Sequence, residues 1–530
     1  MTTRIYETFK PRPAVKMPTL TETKTDEARY EQDATRVQIR GSSLFLAGRF
    51  LSLGSNFVTQ VLIVRYQSTV DYGALAYVLA TVAFLQLFGT LGLQEAVSRF
   101  VPIYREKREY EKLFGTIFLA AGAVVFTGTL IIALAQGPLS HVIAHENLTL
   151  HLLSVLIFLV PVEAADMLLD ALFASFAGTR DIFFRKYVLG PGLKLGVAVL
   201  LIWRGSTVTF FAIGYLCVSA LGVLTYGWLL VRLLRDQGMW QHLTFRTIKI
   251  PAREVLVFIV PGLSAVLATA AINSINMFLL GQMQTLSEVA YYRVAVPVSE
   301  MNGVVMASFT LLYTPTAARL FARGNYIGIN KLYWQTAAWM SVVAFPIFVS
   351  TFSLARPVVM LLYGSRYEHS AFVLALLALG SYFNVTLGFN VQTLKVIGRL
   401  RYIIVTSLLA ALANIALNLF LIPRYGAIGA AAGATVALIG YNLLLQLGLR
   451  QSSDFKAFDP SYRSIYLVTA LSALGLLALQ LTTSMGLAGA LPLAGCVSLA
   501  VFLVSKKKLN VTATFPELHR LPFMKSLFTY

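Results

Sequence analysis

A chain of 530 residues with 57% apolar and 13% charged side chains and a mean hydropathy of +0.71 is not built like a soluble protein, in which about a quarter of residues are charged. Its net charge of +19 does not point to nucleic acid, because the basic residues sit in short loops between apolar runs long enough to cross a bilayer as helices (about 20 residues). A β-barrel is excluded as well, since its strands would be shorter and would alternate in polarity.

Residues 1–41 lack an apolar core and read as a disordered cytoplasmic tail with no cleavable signal peptide. Fourteen predicted spans follow, at 43–64, 73–98, 113–135, 151–174, 187–203, 208–231, 255–281, 288–317, 332–354, 370–392, 402–422, 427–449, 464–483 and 487–504. Residues 509–530 form a second cytoplasmic tail. The predicted fold is all-α and integral to the membrane. With the N-terminus inside, 35 of the 43 Lys and Arg residues fall in inner segments. Five face outward: Arg65, Arg204, Arg356, Arg366 and Arg424. That asymmetry places both termini in the cytoplasm and requires an even number of spans. Cys217 and Cys496 lie inside apolar spans, which argues against a disulfide framework.

An internal repeat organises the chain. Asn56 pairs with Asn273 and Asp71 with Glu288 at an offset of 217, and Tyr110 pairs with Tyr326 at 216. Lys112-Leu113 matches Lys331-Leu332 at 219, while Arg99 matches Arg319, and Gly178 matches Gly398, at 220. Each unit therefore holds six spans. Six is even, so the two copies share one orientation and are related by an axis along the membrane normal. The expected units are 42–250 (N-lobe, spans 1–6) and 251–450 (C-lobe, spans 7–12), with spans 13 and 14 in 451–508. Two parallel bundles with a site between them describe an alternating-access transporter.

Three passages resemble a known family. They are Leu91-Gly92-Leu93-Gln94-Glu95-Ala96-Val97-Ser98-Arg99-Phe100, Val289-Ala290-Tyr291-Tyr292-Arg293-Val294-Ala295 running on to Pro315 and Arg319-Leu320, and Asn414 to Asn418 with Leu421-Ile422-Pro423-Arg424-Tyr425-Gly426. Over residues 41–505 the chain resembles the polysaccharide transporter family of the multidrug/oligosaccharidyl-lipid/polysaccharide exporter superfamily, the Wzx-type O-antigen flippases. The resemblance implies a polyprenyl-diphosphate-linked oligosaccharide as substrate. It also implies a bacterial inner-membrane location, a role in O-antigen or exopolysaccharide synthesis, membrane lipids and the polysaccharide polymerase or chain-length machinery as partners, and a cationic central cavity that receives the pyrophosphate. The lipid II flippases and the multidrug antiporters of the same superfamily are the neighbouring readings.

Charges within spans are costly, about 2.5–3.5 kcal/mol each, and so are candidates for function. Arg49 opens a polar stripe with Ser52, Asn56, Thr59 and Gln60. The stripe reads as a cavity wall whose guanidinium meets a diphosphate, or as an Arg that snorkels to headgroups or pairs with Glu95. Arg293 begins span 8, and the resemblance puts it beside the pyrophosphate; anchoring at the outer interface is the alternative. Glu300, deeper in that span, is a coupling candidate. Lys194 in span 5 lies at the depth of Glu163 and Asp166 in span 4, which reads as a structural salt bridge or as a coupling-ion site. Asp170 lies close enough to the inner end to be solvated. Asn273, Asn276, Asn384 and Asn390 suit either sugar hydroxyls or helix–helix hydrogen bonds. No P-loop is present, and His141, His145 and His151 lack a metal-binding spacing, so no enzymatic chemistry, metal or cofactor is expected. Proton or sodium antiport is the remaining candidate for coupling, with Glu300, Glu163 and Asp166 as carriers.

Overall fold

A computed structural model describes residues 48–90, 92–137, 146–176, 183–242, 248–451, 455–456, 458–483 and 486–509. The two tails lie outside the described residues, apart from residue 509, and so does the side chain of Asn273. Among the described residues every regular element is helical. The helices are α1 (48–66), α2 (Thr69–Thr90), α3 (Leu93–Glu106), α4 (Tyr110–Gln136), α5 (Asn147–Ser175), α6 (Phe184–Arg204), α7 (Val208–Asp236), α8 (Ala252–Met283), α9 (Leu286–Glu300), α10 (Asn302–Ala322), α11 (Tyr326–Phe352), α12 (Ala355–Tyr363), α13 (Ser370–Val396), α14 (Leu400–Arg450), α15 (Arg463–Thr483) and α16 (Leu487–Ser505). Ten of these are long and apolar enough to cross a bilayer, or eleven with a bent pair, against the fourteen spans expected.

Three departures from the expected spans have physical causes. Span 2 was expected to run to 98, but Gly92 takes a left-handed conformation and ends it. Beyond it α3 is amphipathic, burying Leu93, Ala96, Val97, Val101 and Tyr104 while Arg99 and Glu95 stay exposed. Span 8 bends by 46° between Leu286–Thr310 and Leu312–Ala322, where Pro315 withholds the amide that would bond back to residue 311. Spans 11 and 12 form the 51-residue α14. Straight, it would be about 77 Å long, far beyond a bilayer core. It reverses at Gly426, whose φ of 54° and ψ of −130° need a residue without a side chain. The Ser407 and Tyr441 hydroxyls meet at 3.2 Å, and Tyr402 donates to the Leu444 carbonyl, so the two arms run antiparallel. Glu288 accepts the Ala427 amide at 2.6 Å, placing a carboxylate at the start of the second arm.

The repeat is visible in a turn. Arg108 and Gly324, 216 residues apart, are both left-handed. Each follows the same bonding pattern: Glu109 N–H to the Tyr104 carbonyl in one copy, Asn325 N–H to the Leu320 carbonyl in the other. The helices α3 and α10 thus enter α4 and α11 in the same way.

Two ends can be told apart by charge. The basic end gathers residues 105–112, 232–242, 248–254, 319–331, 395–401 and 506–508; the far end gathers 65–71, 204–207, 284–287, 355–369 and 424–427. At the far end a single apolar core joins both halves of the chain, from Ile63 and Tyr77 through Tyr292 and Tyr363 to Ala431. Toward the basic end the cores separate. One is built on α3, α4, α5 and α7, the other on α10, α11, α13 and α14 with α15 and α16, this second core continuing along α11 to Leu354. The helix α8 divides between them. Val255 and Ile259, near its start, pack with the N-terminal half, whereas Met277 and Leu280 join the shared core.

Candidate functional site

Beneath the shared core lies a cavity of about 600 Å³. Its walls are the middle parts of α8, α9, α13 and both arms of α14, with Leu79, Ala80 and Ala83 of α2 closing one side. The lining residues of α2, α13 and both arms of α14 sit about two turns or more from either end of their helices, the depth expected of a site within the membrane, and Glu300 closes the lining at the end of α9. Side chains there are mostly small or apolar, with a few polar groups converging: Asn276, Tyr292, Arg293, Ser299, Glu300, Asn414, Thr435 and Tyr441. That mixture is typical of a ligand site.

Three asparagines form the polar floor. The Asn276 carbonyl oxygen accepts the side-chain amides of Asn414 and Asn418, each at 2.8 Å, and its own amide donates to the Tyr292 hydroxyl at 3.1 Å. Asn418 also donates to Asn414 at 2.8 Å. All three amides are buried, Asn418 completely. Arg293 lies beside Tyr72 of α2, so it reaches from the C-terminal half to the N-terminal half. Glu300 stands two turns further along the same face, toward the basic end, and is exposed.

The structure brings Arg293, Glu300 and Asn276 together in the lining, and the other candidates whose side chains are described lie outside it. Among the described residues the charged lining is one residue of each sign, Arg293 and Glu300, in place of the cationic chamber expected. Arg49 and Asn56 are exposed on α1 and outside the lining; the Asn56 amide donates to Ser52 one turn away. Lys194 is outside it too. Its ammonium donates to the Tyr215 hydroxyl at 2.9 Å, which donates to Glu163 at 3.2 Å, joining α6, α7 and α5. Asp166 is not with Lys194. It pairs with Arg185, which also donates to the Gly222 carbonyl at 3.0 Å and stacks 3.9 Å over the Tyr226 ring. Asp170, expected to be solvated, pairs with Lys186 and Arg185 and keeps only 17% of its side chain exposed. Asn390 pairs with Asn442 across helices at 2.9 Å, and the Asn384 amide lies 4.0 Å from the Met306 sulfur.

Sequence reasoning missed Tyr215 as the bridge and Arg185 as a buried cation. Arg185 looked like an ordinary inner-loop charge. It turns inward because Phe184–Leu189 is a π-helical turn, which a 3.6-residue period does not anticipate.

At the basic end, α8 is strapped to the N-terminal half. The Tyr104 hydroxyl donates to Glu254 at 2.7 Å, Lys112 lies 3.7 Å from the same carboxylate, and Arg99 sits 4.5 Å over the Phe258 ring. The hydrogen bond from Tyr104 holds the Glu254 carboxyl below the usual carboxylate range. Burial and the bond to Glu254 together push the Tyr104 hydroxyl up.

Comparisons with known proteins bear on the whole chain. The sequence profile of the family described as "Polysaccharide biosynthesis protein" matches residues 62–372, more than half of the chain. An uncharacterized membrane protein of Methanocaldococcus jannaschii is 21% identical over 422 residues, covering 77% of this chain and 82% of the relative. Among solved structures, the lipid II flippase MurJ in an inward closed conformation superposes with a TM-score of 0.67 at 16% identity, over 91% of this chain and 99% of that one. An inward-facing multidrug resistance MATE family transporter of the MOP superfamily superposes with a TM-score of 0.61 at 15% identity, over 76% and 95%. At these identities the likeness establishes the fold.

Proposed function

Because the chain belongs to the polysaccharide biosynthesis protein family, we propose that it is a flippase that carries a polyprenyl-diphosphate-linked oligosaccharide from the inner to the outer leaflet of the cytoplasmic membrane. In this reading it has fourteen spans, both termini are cytoplasmic, the basic end faces the cytoplasm, and the product serves surface polysaccharide assembly by a polymerase.

The observation that carries the reading is the placement of the cavity. It lies below a far-end core shared by both halves and between the two cores that do not join. A headgroup can enter such a site between the separated basic-end cores while its lipid tail stays in the bilayer. Each unpaired sugar hydroxyl would otherwise cost about 4–8 kcal/mol in hydrocarbon. The asparagine floor, Ser299, Thr435 and Tyr441 supply partners for hydroxyls, and Arg293 supplies a bidentate donor for phosphate oxygens. Rocking of the two halves then opens the far end. Proton or sodium antiport adds driving force, with Glu300 in the cavity and Glu163, through Tyr215 and Lys194, as carriers.

Glu300 also favours a second reading, an organic-cation antiporter, since an exposed carboxylate in a cavity attracts cations. The two separate in one experiment. A strain lacking the gene is complemented with the wild type, Arg293→Ala or Glu300→Gln, and the sidedness of the lipid-linked oligosaccharide is probed. The flippase reading expects inner-leaflet accumulation in the deletion strain and with Arg293→Ala. Normal outer-leaflet arrival in the deletion strain refutes it. Loss of drug resistance alone then supports the antiporter.

A further inference from the structure

The far end is held shut by two arginines that exchange partners across the halves. From the end of α1, Arg65 donates its Nε to the Leu362 carbonyl at 2.8 Å and a terminal nitrogen to the Leu361 carbonyl. From the other half, Arg366 donates to the Arg65 carbonyl at 2.8 Å and to the Gln67 carbonyl at 3.4 Å. Next to this clasp the Thr69 and Ser287 hydroxyls meet at 3.3 Å, and a Cβ at Gly73 would collide with the Leu286 carbonyl. The partners of both guanidinium groups are neutral carbonyls. Both arginine side chains are nonetheless exposed at the far face.

The closure is also incompletely bonded. The Gln67 side-chain amide, the Tyr367 hydroxyl and the Ser370 hydroxyl are buried there without hydrogen-bond partners. Buried donors left without partners destabilise the state that holds them. Guanidinium bonds to phosphate oxygens are charge-assisted and about twice as strong as bonds to neutral carbonyls. A planar fork also matches a phosphate bidentately.

We propose that Arg65 and Arg366 form an anion-released clasp and receiving site at the far mouth, in which a diphosphate displaces the Leu361, Leu362, Arg65 and Gln67 carbonyls and thereby opens the closure. This deepens the flippase reading and rests on it for the identity of the natural ligand. The chemistry itself requires only a phosphate-bearing anion on the far side.

The test uses the full chain in vesicles, with Cys217→Ser and Cys496→Ser removing native thiols and Thr69→Cys with Ser287→Cys placing a reporter pair across the closure. Diamide drives the disulfide, since it carries no metal for pyrophosphate to sequester. The wild-type clasp should crosslink efficiently, and Arg65→Gln/Arg366→Gln should lower the crosslinked fraction severalfold. Inorganic pyrophosphate on the far side, or a polyprenyl diphosphate in the vesicle membrane, should lower it in the intact clasp and leave the double variant unchanged. Sulfate at equal ionic strength is the control. A response to the lipid alone makes the carried headgroup the ligand, and a response to both makes any diphosphate sufficient. Unchanged crosslinking in the double variant overturns the clasp. A fall in the double variant with no response to either diphosphate overturns the receiving site. If the double variant does not purify as a monodisperse protein, Arg366→Gln alone serves, because it frees two of the four carbonyls. Crosslinking needs no transport, so a responsive clasp in a protein that moves no lipid-linked oligosaccharide refutes the flippase reading and leaves the clasp standing.

Discussion

Replacing Asn276 by Ala tests whether the cavity floor is a cooperative polar unit. The substitution removes an acceptor that serves two amides and a donor that serves one hydroxyl. Asn418 keeps its bond to Asn414, so two groups are stranded: the Asn414 amide and the Tyr292 hydroxyl, on residues 2% and 4% exposed. Each stranded buried group costs about 1–3 kcal/mol. The adjoining cavity can bring water to both, so the low end of the range applies and the expected loss is about 2 kcal/mol. The assay is unfolding of the purified protein in mixed micelles of increasing denaturing-detergent fraction, followed by helical circular dichroism. Asn414→Ala and the double variant complete a cycle. Asn414→Ala alone strands no group, since Asn418 keeps its bond to Asn276, whereas the double variant should cost about as much as Asn276→Ala, because it strands the Tyr292 hydroxyl and the Asn418 amide that both partners served. A loss at or below about 0.6 kcal/mol, the average for an interhelical hydrogen bond in a membrane bundle, would show that water replaces the amide, and the cooperative argument fails.

Two further outcomes follow from charge placement. Arg185→Met removes the partner of Asp166 and the stacking on Tyr226. Breaking a buried pair costs about 3–5 kcal/mol. Asp166 keeps 36% of its side chain exposed, so a loss of about 2–3 kcal/mol is expected in the same unfolding assay, partly recovered when Asp166→Asn is added; no recovery would mean the stacking dominates. The strap at Glu254 is sensitive to acid. Its folded pKa is depressed, so its contribution is complete above the unfolded carboxylate value, about 4.3, and is lost as pH falls through the folded value. The difference in thermal midpoint between the wild type and Glu254→Gln should therefore be constant from pH 7 to 5 and shrink below that; a pH-independent difference rules out a titrating strap.

The apolar helices were legible because the bilayer asks for a single simple pattern, and among the described residues ten or eleven helices meet it in full, against the fourteen spans expected. The all-helical fold class followed from that pattern, while the expected duplication rested on residues recurring at offsets of 216–220. Membership of the cavity was less legible. A helix that is apolar on every side, as α2 and α11 nearly are, carries no stripe to fix which face turns inward. Arg49 looked like cavity wall because its polar neighbours recur at helical spacing, yet that stripe is outside the lining. Arg293 and Glu300 were found because a charge in mid-span demands a wet or paired setting, and in this chain the setting is the cavity itself. Asn414 and Asn418 carried only a family resemblance until α8 brought Asn276 against them. Pairing between helices, such as Asp166 with Arg185, depends on helix rotation, which no one-dimensional period supplies.

The balance of charge in the cavity bears on how transport is driven. Arg293 and Glu300 lie seven residues apart on the bent span, about 10 Å along the axis, and their charges cancel at a distance. A diphosphate headgroup with two negative charges, proposed as the cargo, therefore meets one cation whose field a carboxylate partly offsets. Among the described residues, the cavity lining contributes no net fixed charge with which to neutralise it. Crossing to the outer face then moves about two charges through the field, worth about 2.3 kcal/mol per charge per 100 mV. An inside-negative potential of that size would supply roughly 4–5 kcal/mol without any ion. Transport in vesicles should accordingly rise with an imposed inside-negative potential at equal pH and equal sodium on both sides. A rate indifferent to potential but responsive to a proton or sodium gradient would mean that ions compensate the headgroup one for one. Glu300, exposed in the cavity two turns from Arg293, would be the first residue to examine as their carrier.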